Sequence, residues 1–179
     1  MRGFVLAVTV GVGAVSACRP AVQTGSPAVP TGHATLHSAS GATLGTLSLE
    51  PSATGVRISG TLSSLSAGMH GIHLHQVGRC DPADFSSAGP HLNPKGAHHG
   101  LENPAGPHAG DLPNITADAS GNATVDLRAP RVTLDTSATG GLFDADGTAI
   151  VVHAAADDQK SDPAGNSGAR VACGVIERG

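Results

Sequence analysis

The stretch from His70 to Asp111 constrains this chain more than any other. It holds seven of the ten histidines, in the reads HGIHLHQVGRC, SAGPHLNPKGAHHG and GPHAGD. Neutral imidazole is the commonest metal ligand, and carboxylate joins it readily around zinc or copper. Such density is too high for unrelated surface histidines, so the fold must gather these side chains, and a metal site is the expectation. His73 and His75 alternate with Ile72 and Leu74, so on a β-strand both imidazoles project from one face. His91, His99, His108 and Asp111 instead lie among Gly, Pro and Asn, in a long connection unsuited to strand or helix. A loop of that length in a compact domain is functional or disordered, and metal ligation would keep it ordered.

The residues around this stretch predict an all-β domain. There is no Trp or Tyr, so the core must come from Val, Ile, Leu and Ala. The 25 Gly and 12 Pro are scattered among short apolar runs, which favours many turns over a helical bundle. Alternating segments at 33–39, 42–50 and 55–63 read as meander strands, and 114–134 repeats the pattern around a Ser-Gly-Asn turn. TAIVVHA at 148–154 is a continuous apolar run and reads as a buried strand, 157–168 as a second long loop, and VACGVIER as the closing strand. The total is about eight strands, suited to a small sandwich or flattened barrel.

The N-terminus differs in kind. Arg2 followed by FVLAVTVGVGAV reads as a secretory signal peptide over residues 1–17, too short for a comfortable membrane span. Val15-Ser16-Ala17-Cys18 is similar to a bacterial lipobox, which makes Cys18 the candidate lipid-bearing first residue of an exported protein. Secretion with a free Cys18 is the alternative. Residues 19–32 are rich in Pro, Gly and small polar residues and read as a tether.

The histidine stretch resembles the metal-binding region of the copper/zinc superoxide dismutases, and the likeness continues through GDLPNITAD at 110–118, VVHAAADD at 151–158 and GNSGARVACGVI at 165–176. It covers nearly all of residues 33–179 and implies an eight-stranded Greek-key barrel or sandwich with long metal-binding and active-site loops. The resemblance assigns copper to His73, His75, His91 and His153, and zinc to His91, His99, His108 and Asp111, with His91 bridging the two. Spacing alone does not separate His98 from His99; the resemblance selects His99. It makes Asp157 a carboxylate linking a ligand of each metal, pairs Cys80 with Cys173, and sets Arg170 at the mouth of the copper channel. Cysteine arithmetic agrees with that pair: three cysteines leave one over, and if Cys18 carries lipid, Cys80 and Cys173 remain as a pair. The implied activity is dismutation of superoxide to oxygen and hydrogen peroxide, with Arg170 and His91 as catalytic residues, outside the cytoplasm in the periplasm or at the cell surface. Monomer and homodimer both stay open.

Charge bears on the partners. The formal net charge is −4, with no basic run to suit nucleic acid. Without residues 1–17, nine basic side chains face fourteen acidic ones, so attraction of an anion must be local, from the metals, Arg170 and Lys160. Two other functions compete with dismutation. A domain that stores or delivers copper would share most of the ligands. A zinc hydrolase would need an open coordination position, which four protein ligands do not leave.

Overall fold

The computed structural model describes Gly3, residues 29–136 and residues 139–179. The expected signal peptide apart from Gly3, Cys18 and the tether up to residue 28 lie outside the described residues. Among the described residues the chain is all-β, with one 3-10 turn at Ser86–Ala88 and no α-helix. Strands β1 (Gly32–Ser38), β2 (Thr43–Ser52) and β3 (Gly55–Leu62) form the predicted meander. They are followed by β4 (Gly68–His70), β5 (Ile72–His75), β6 (Ile115–Ala117), β7 (Ala123–Ala129), β8 (Ala149–His153), β9 (Arg170–Val175) and β10 (Glu177–Arg178).

The main sheet runs in the order β5-β8-β9-β1-β2-β3-β7, with β10 beside β1, and every pair is antiparallel. Strands β4 and β6 form a separate two-stranded sheet. The main sheet curls because its two ends are tied through this small one. Strand β4 is one residue from β5, and β6 reaches β7 through a turn in which Asp118 N–H donates to Asn122 O at 2.9 Å.

Among the described residues ten strands appear where about eight were expected, because the HGIHLH read breaks at Gly71 and the closing VACGVIER read breaks at Ile176. Gly71 N–H donates to Ala155 O at 2.9 Å, and Gly71 O accepts from His153 N–H at 2.8 Å. A Cβ at this position would lie 3.0 Å from Ser167 Cβ and 3.3 Å from Asp157 Cβ. Glycine lets the 154–168 loop close tightly over the strand here, where a side chain would push its neighbours outward.

Alternation places the site on the outside of the sheet. Ile72, Leu74, Ile150 and Val152 face the main core with Leu36, Leu47, Leu49 and Ile58. On the opposite face His73 pairs across with Val151 and His75 with Ala149, so His73, His75 and His153 share one surface. Phe85, Ala88, Ala149, Val151 and Cys173 form a second apolar cluster there, with Cys80 packed against it. The Cys80–Cys173 disulfide, with Cα atoms 5.7 Å apart, ties the loop after β5 to β9 beneath that cluster.

Candidate metal centre

Two groups of side chains able to hold a metal ion converge on this outer face. His73, His75, His91 and His153 form the first, and His91, His99, His108 and Asp111 the second; within each, the ligand atoms lie within 4.8 Å of one another. All seven side chains are buried. His91 belongs to both groups. Strand β5 supplies His73 and His75 and β8 supplies His153. The long connection supplies the rest, held to β5 where Leu74 and Leu92 exchange N–H and carbonyl groups with Gly110 and with each other.

In the first group four ring nitrogens are buried without a hydrogen-bond partner: His73 Nδ1, His75 Nε2, His91 Nε2 and His153 Nε2. A polar atom left this way costs of order 1–3 kcal/mol, and four aimed at one point form a donor set that a metal ion would satisfy. The opposite nitrogens explain how these lone pairs point inward. His73 Nε2–H donates to Asp157 Oδ2 at 2.7 Å, His75 Nδ1–H to Gly89 O at 2.8 Å and His153 Nδ1–H to Gly168 O at 3.2 Å. Each hydrogen bond selects the tautomer whose free nitrogen faces the others. Burial pushes the His73 imidazole down to about 3 and His153 to about 4, and His75 well below the ordinary range, so these three ligands are neutral at pH 7. Nitrogen donors alone suit copper.

The second group centres on one carboxylate. Asp111 Oδ1 lies 2.9 Å from His91 Nδ1, 3.0 Å from His99 Nδ1 and 3.2 Å from His108 Nδ1. Neighbouring ligands around four-coordinate zinc, with bonds of about 2.0–2.1 Å, are about 3.3–3.4 Å apart, so this cluster fits with only a small expansion. Asp111 Oδ2 is fixed by the N–H groups of Gly100 and His108 at 2.8 and 2.9 Å. Burial alone would raise its pKa, but the imidazoles and amides around it hold it well below the usual carboxylate range.

Asp157 joins the groups. Its Oδ1 lies 3.0 Å from His99 Nε2, while Oδ2 holds His73. A Cβ on Gly165 would sit 2.8 Å from His99 Nε2 and overlap Asp157 Oδ1, which is why glycine, at φ +61°, closes this corner.

Arg170 opens β9 beside the first group. Its Nη1 donates to Phe85 O at 2.6 Å and its Nη2 to Gly89 O at 2.7 Å, the same carbonyl that holds His75. It lines a cavity of about 270 Å³ with His75, His91, His153, Pro90, Pro163, Ala164 and Gly168.

The remaining candidates fall outside both groups. His70 is buried, with Nδ1 2.7 Å from His153 O and Nε2 2.8 Å from Ser66 O, and so braces the backbone. His98 points outward, its side chain 62% exposed and paired with Asp162, whereas the His99 side chain is fully buried. His33 and His37 occupy β1, paired with Glu177 and Thr43. Lys160 differs from expectation. It pairs with Glu102 at 2.8 Å, which offsets the charge expected to attract an anion, and it does not line the Arg170 cavity. Sequence reading missed the Phe85 and Gly89 carbonyls, because backbone groups leave no mark in residue identity. It also missed Asn114, whose only signal was its place in GDLPNITAD.

Comparison with known proteins places these observations. A family model described as copper/zinc superoxide dismutase matches residues 43–176. Cu-Zn superoxide dismutase 1 of Aquifex aeolicus is 46% identical over 146 residues, covering 81% of this chain and 86% of the relative. The Cu-Zn superoxide dismutase of Caulobacter vibrioides is 48% identical over 127 residues, covering 69% of this chain and 72% of the relative. Among solved structures, a SOD-like protein from Bacillus subtilis superposes with a TM-score of 0.77 at 38% identity, covering 80% of this chain and 96% of that one. The Cu/Zn superoxide dismutase from Brucella abortus gives 0.67 at 28% identity, over 82% and 99% of the two chains.

Proposed function

The chain belongs to the copper/zinc superoxide dismutase family and is an enzyme of that type using copper and zinc, and from that premise we propose how its residues divide the work. His73, His75, His91 and His153 would hold copper, through the ring nitrogens that lack a hydrogen-bond partner. His91, His99, His108 and Asp111 would hold zinc, with His91 shared between the two groups. The observation that carries this reading is the set of four buried, unpartnered ring nitrogens, one of them on the residue that both groups share.

Bound copper would supply the one-electron redox chemistry that superoxide dismutation needs, and zinc would supply a fixed charge without redox change. The protein does the rest. Arg170 uses two guanidinium N–H groups on Phe85 and Gly89 carbonyls and turns the remaining donors to the cavity, where a small anion is the natural partner. Proline and alanine on the cavity wall limit the water that competes for those donors. His91 Nε2 is the proton-carrying atom, taking a proton in one half of the cycle and yielding it to product in the other, while Nδ1 stays fixed among the second group. His70 and Gly89 keep the backbone and the His75 ring in place throughout.

This reading extends to the whole chain. Residues 33–179 form the catalytic domain, with the eight-stranded Greek-key arrangement of its family. Residues 1–17 direct export, and lipid on Cys18 anchors the enzyme through a tether at a membrane outside the cytoplasm, in the periplasm or at the cell surface. Replacing Cys18 by Ser should release the protein from membranes; retention would remove the lipid from this account.

The test of the centre is spectroscopic and kinetic. With cobalt(II) at the zinc position and copper(II) at the other, a shared His91 imidazolate should couple the two ions and quench the copper EPR signal. An unperturbed signal would sink the bridge. Superoxide dismutation should appear with copper and zinc and be absent with zinc alone. Full copper occupancy without turnover would move the reading to copper storage or delivery.

A further inference from the structure

Asn114 touches neither ligand group, yet it supports the residue that joins them. Its side chain makes two hydrogen bonds to the backbone of Asp157, both 2.8 Å: Nδ2–H donates to Asp157 O, and Oδ1 accepts from Asp157 N–H. An asparagine amide carries one donor face and one acceptor face, so it can pair with a peptide as a neighbouring strand would. Asp157 needs such a partner because it lies in the loop after β8, outside any strand. Its N–H and carbonyl are both consumed by Asn114, which leaves the carboxylate to span His73 and His99. Gln159 N–H then adds a bond to Asp157 Oδ1 at 2.6 Å.

Asn114 is also well placed to act as a reference point. It directly precedes β6, which pairs with β4, and it lies three residues after Asp111 of the second group. One short segment therefore carries both the Asp111 ligand and the clamp on Asp157. We infer that Asn114 is a positioning residue for both metal sites, holding Asp157 so that one carboxylate orients a ligand ring in each. The inference rests on the ligand assignment proposed above.

The experiment compares full-length wild type with Asn114→Ala, Asn114→Asp and Ile58→Ala, each loaded with zinc and then copper. Zinc affinity is read by chelator competition, and the copper site by its visible and EPR spectra. Asn114→Ala should weaken zinc by about 10- to 100-fold, the usual cost of losing an outer partner, and should shift the copper spectra because the His73 ring loses its fixed orientation. Asn114→Asp keeps an acceptor for Asp157 N–H but sets an anionic oxygen against Asp157 O, so it should fail to restore either readout; it also serves if the alanine variant does not fold. Ile58 is buried in β3 away from the site, so Ile58→Ala should lower the melting temperature without moving zinc affinity or the copper spectra. Wild-type affinity and spectra in both Asn114 variants would overturn the inference, as would equal changes in Ile58→Ala. A wild type that binds neither metal would instead overturn the ligand assignment.

Discussion

His73 and His99 are held by opposite oxygens of one carboxylate: Asp157 Oδ2 lies 2.7 Å from His73 Nε2 and Oδ1 lies 3.0 Å from His99 Nε2. One ring faces the four-nitrogen group and the other the Asp111 group, so a single side chain sets the tautomer of a ligand in each. Burial would raise the Asp157 pKa, but the two imidazoles and the Gln159 amide outweigh it and keep the carboxylate ionised. Asp157→Asn should lower the affinity for copper and zinc together, by about 10- to 100-fold each, because an amide N–H must then face an imidazole N–H. Chelator competition on one preparation measures both, and a loss confined to one metal would contradict the shared role.

Arg170→Ala should leave both metals bound and slow turnover by on the order of tenfold, the low end of what a steering charge supplies. Lys160 is paired with Glu102, so among the cavity-lining side chains Arg170 is the one that carries a permanent positive charge. The salt dependence of the rate should flatten in the alanine variant, since added ions screen an attraction that is no longer there. Arg170→Lys should recover part of the rate, because the charge returns without the fork that grips Phe85 and Gly89. A salt profile that matches wild type in Arg170→Ala would remove the steering role.

The metal-free protein should be most stable near pH 6.5, the ordinary value from which His99 departs upward and His73 and His153 downward. Burial lowers His99, but hydrogen bonds to Asp111 and Asp157 outweigh it and raise the group to about 9. Its stabilisation is complete below 6.5 and is lost as pH rises through about 9. His73 and His153, pushed down to about 3 and about 4 chiefly by burial, contribute fully above 6.5 and lose that contribution as pH falls toward those values. Denaturant midpoints across pH in chelator would test this, and a profile flat from 5 to 9 would contradict it.

Proton release separates the two metals. With its pKa raised to about 9 by Asp111 and Asp157, His99 should carry a proton at pH 7 in the metal-free protein, and zinc uptake should displace that proton. His73, His75 and His153 are already neutral at that pH. Copper uptake afterwards should therefore release about one proton from His91 Nε2 alone, and only if both its nitrogens become ligands. Calorimetry in buffers of different ionisation enthalpy counts these protons; none released on the second step would leave His91 serving a single ion.

Where the outcome depended on local alternation or composition, the sequence could be read. Ile72 and Leu74 pointing inward placed His73 and His75 outward, and the apolar run at 148–154 became a strand buried along its whole length. Loop histidines among glycines and prolines had no other reason to be so dense. Spacing could not separate His98 from His99, because adjacent loop residues follow no period; their environments differ because the His98 ring meets Asp162 at the surface while the His99 ring meets Asp111 and Asp157 in the interior. The break at Gly71, the Lys160–Glu102 pair and the Asn114 clamp depend on contacts between segments far apart in the chain, which no local pattern encodes.

The Cys80–Cys173 disulfide has a consequence for Arg170. It joins positions 93 residues apart, and closing a loop of that size in the unfolded chain contributes about 4–5 kcal/mol in the chain-entropy model. The loop it pins to β9 includes Phe85 and Gly89, whose carbonyls hold the guanidinium, and leads directly into His91. Cys80→Ser with Cys173→Ser, or reductant on the wild type, should lower unfolding stability by about 4 kcal/mol and weaken copper more than zinc. Three of the four side chains in the Asp111 group, the proposed zinc site, lie beyond that loop, whereas His75 depends on its Gly89 carbonyl. Denaturant titration and competitive metal binding with and without reductant measure both effects, and equal losses for the two metals would mean that the disulfide stabilises the domain without organising the copper side.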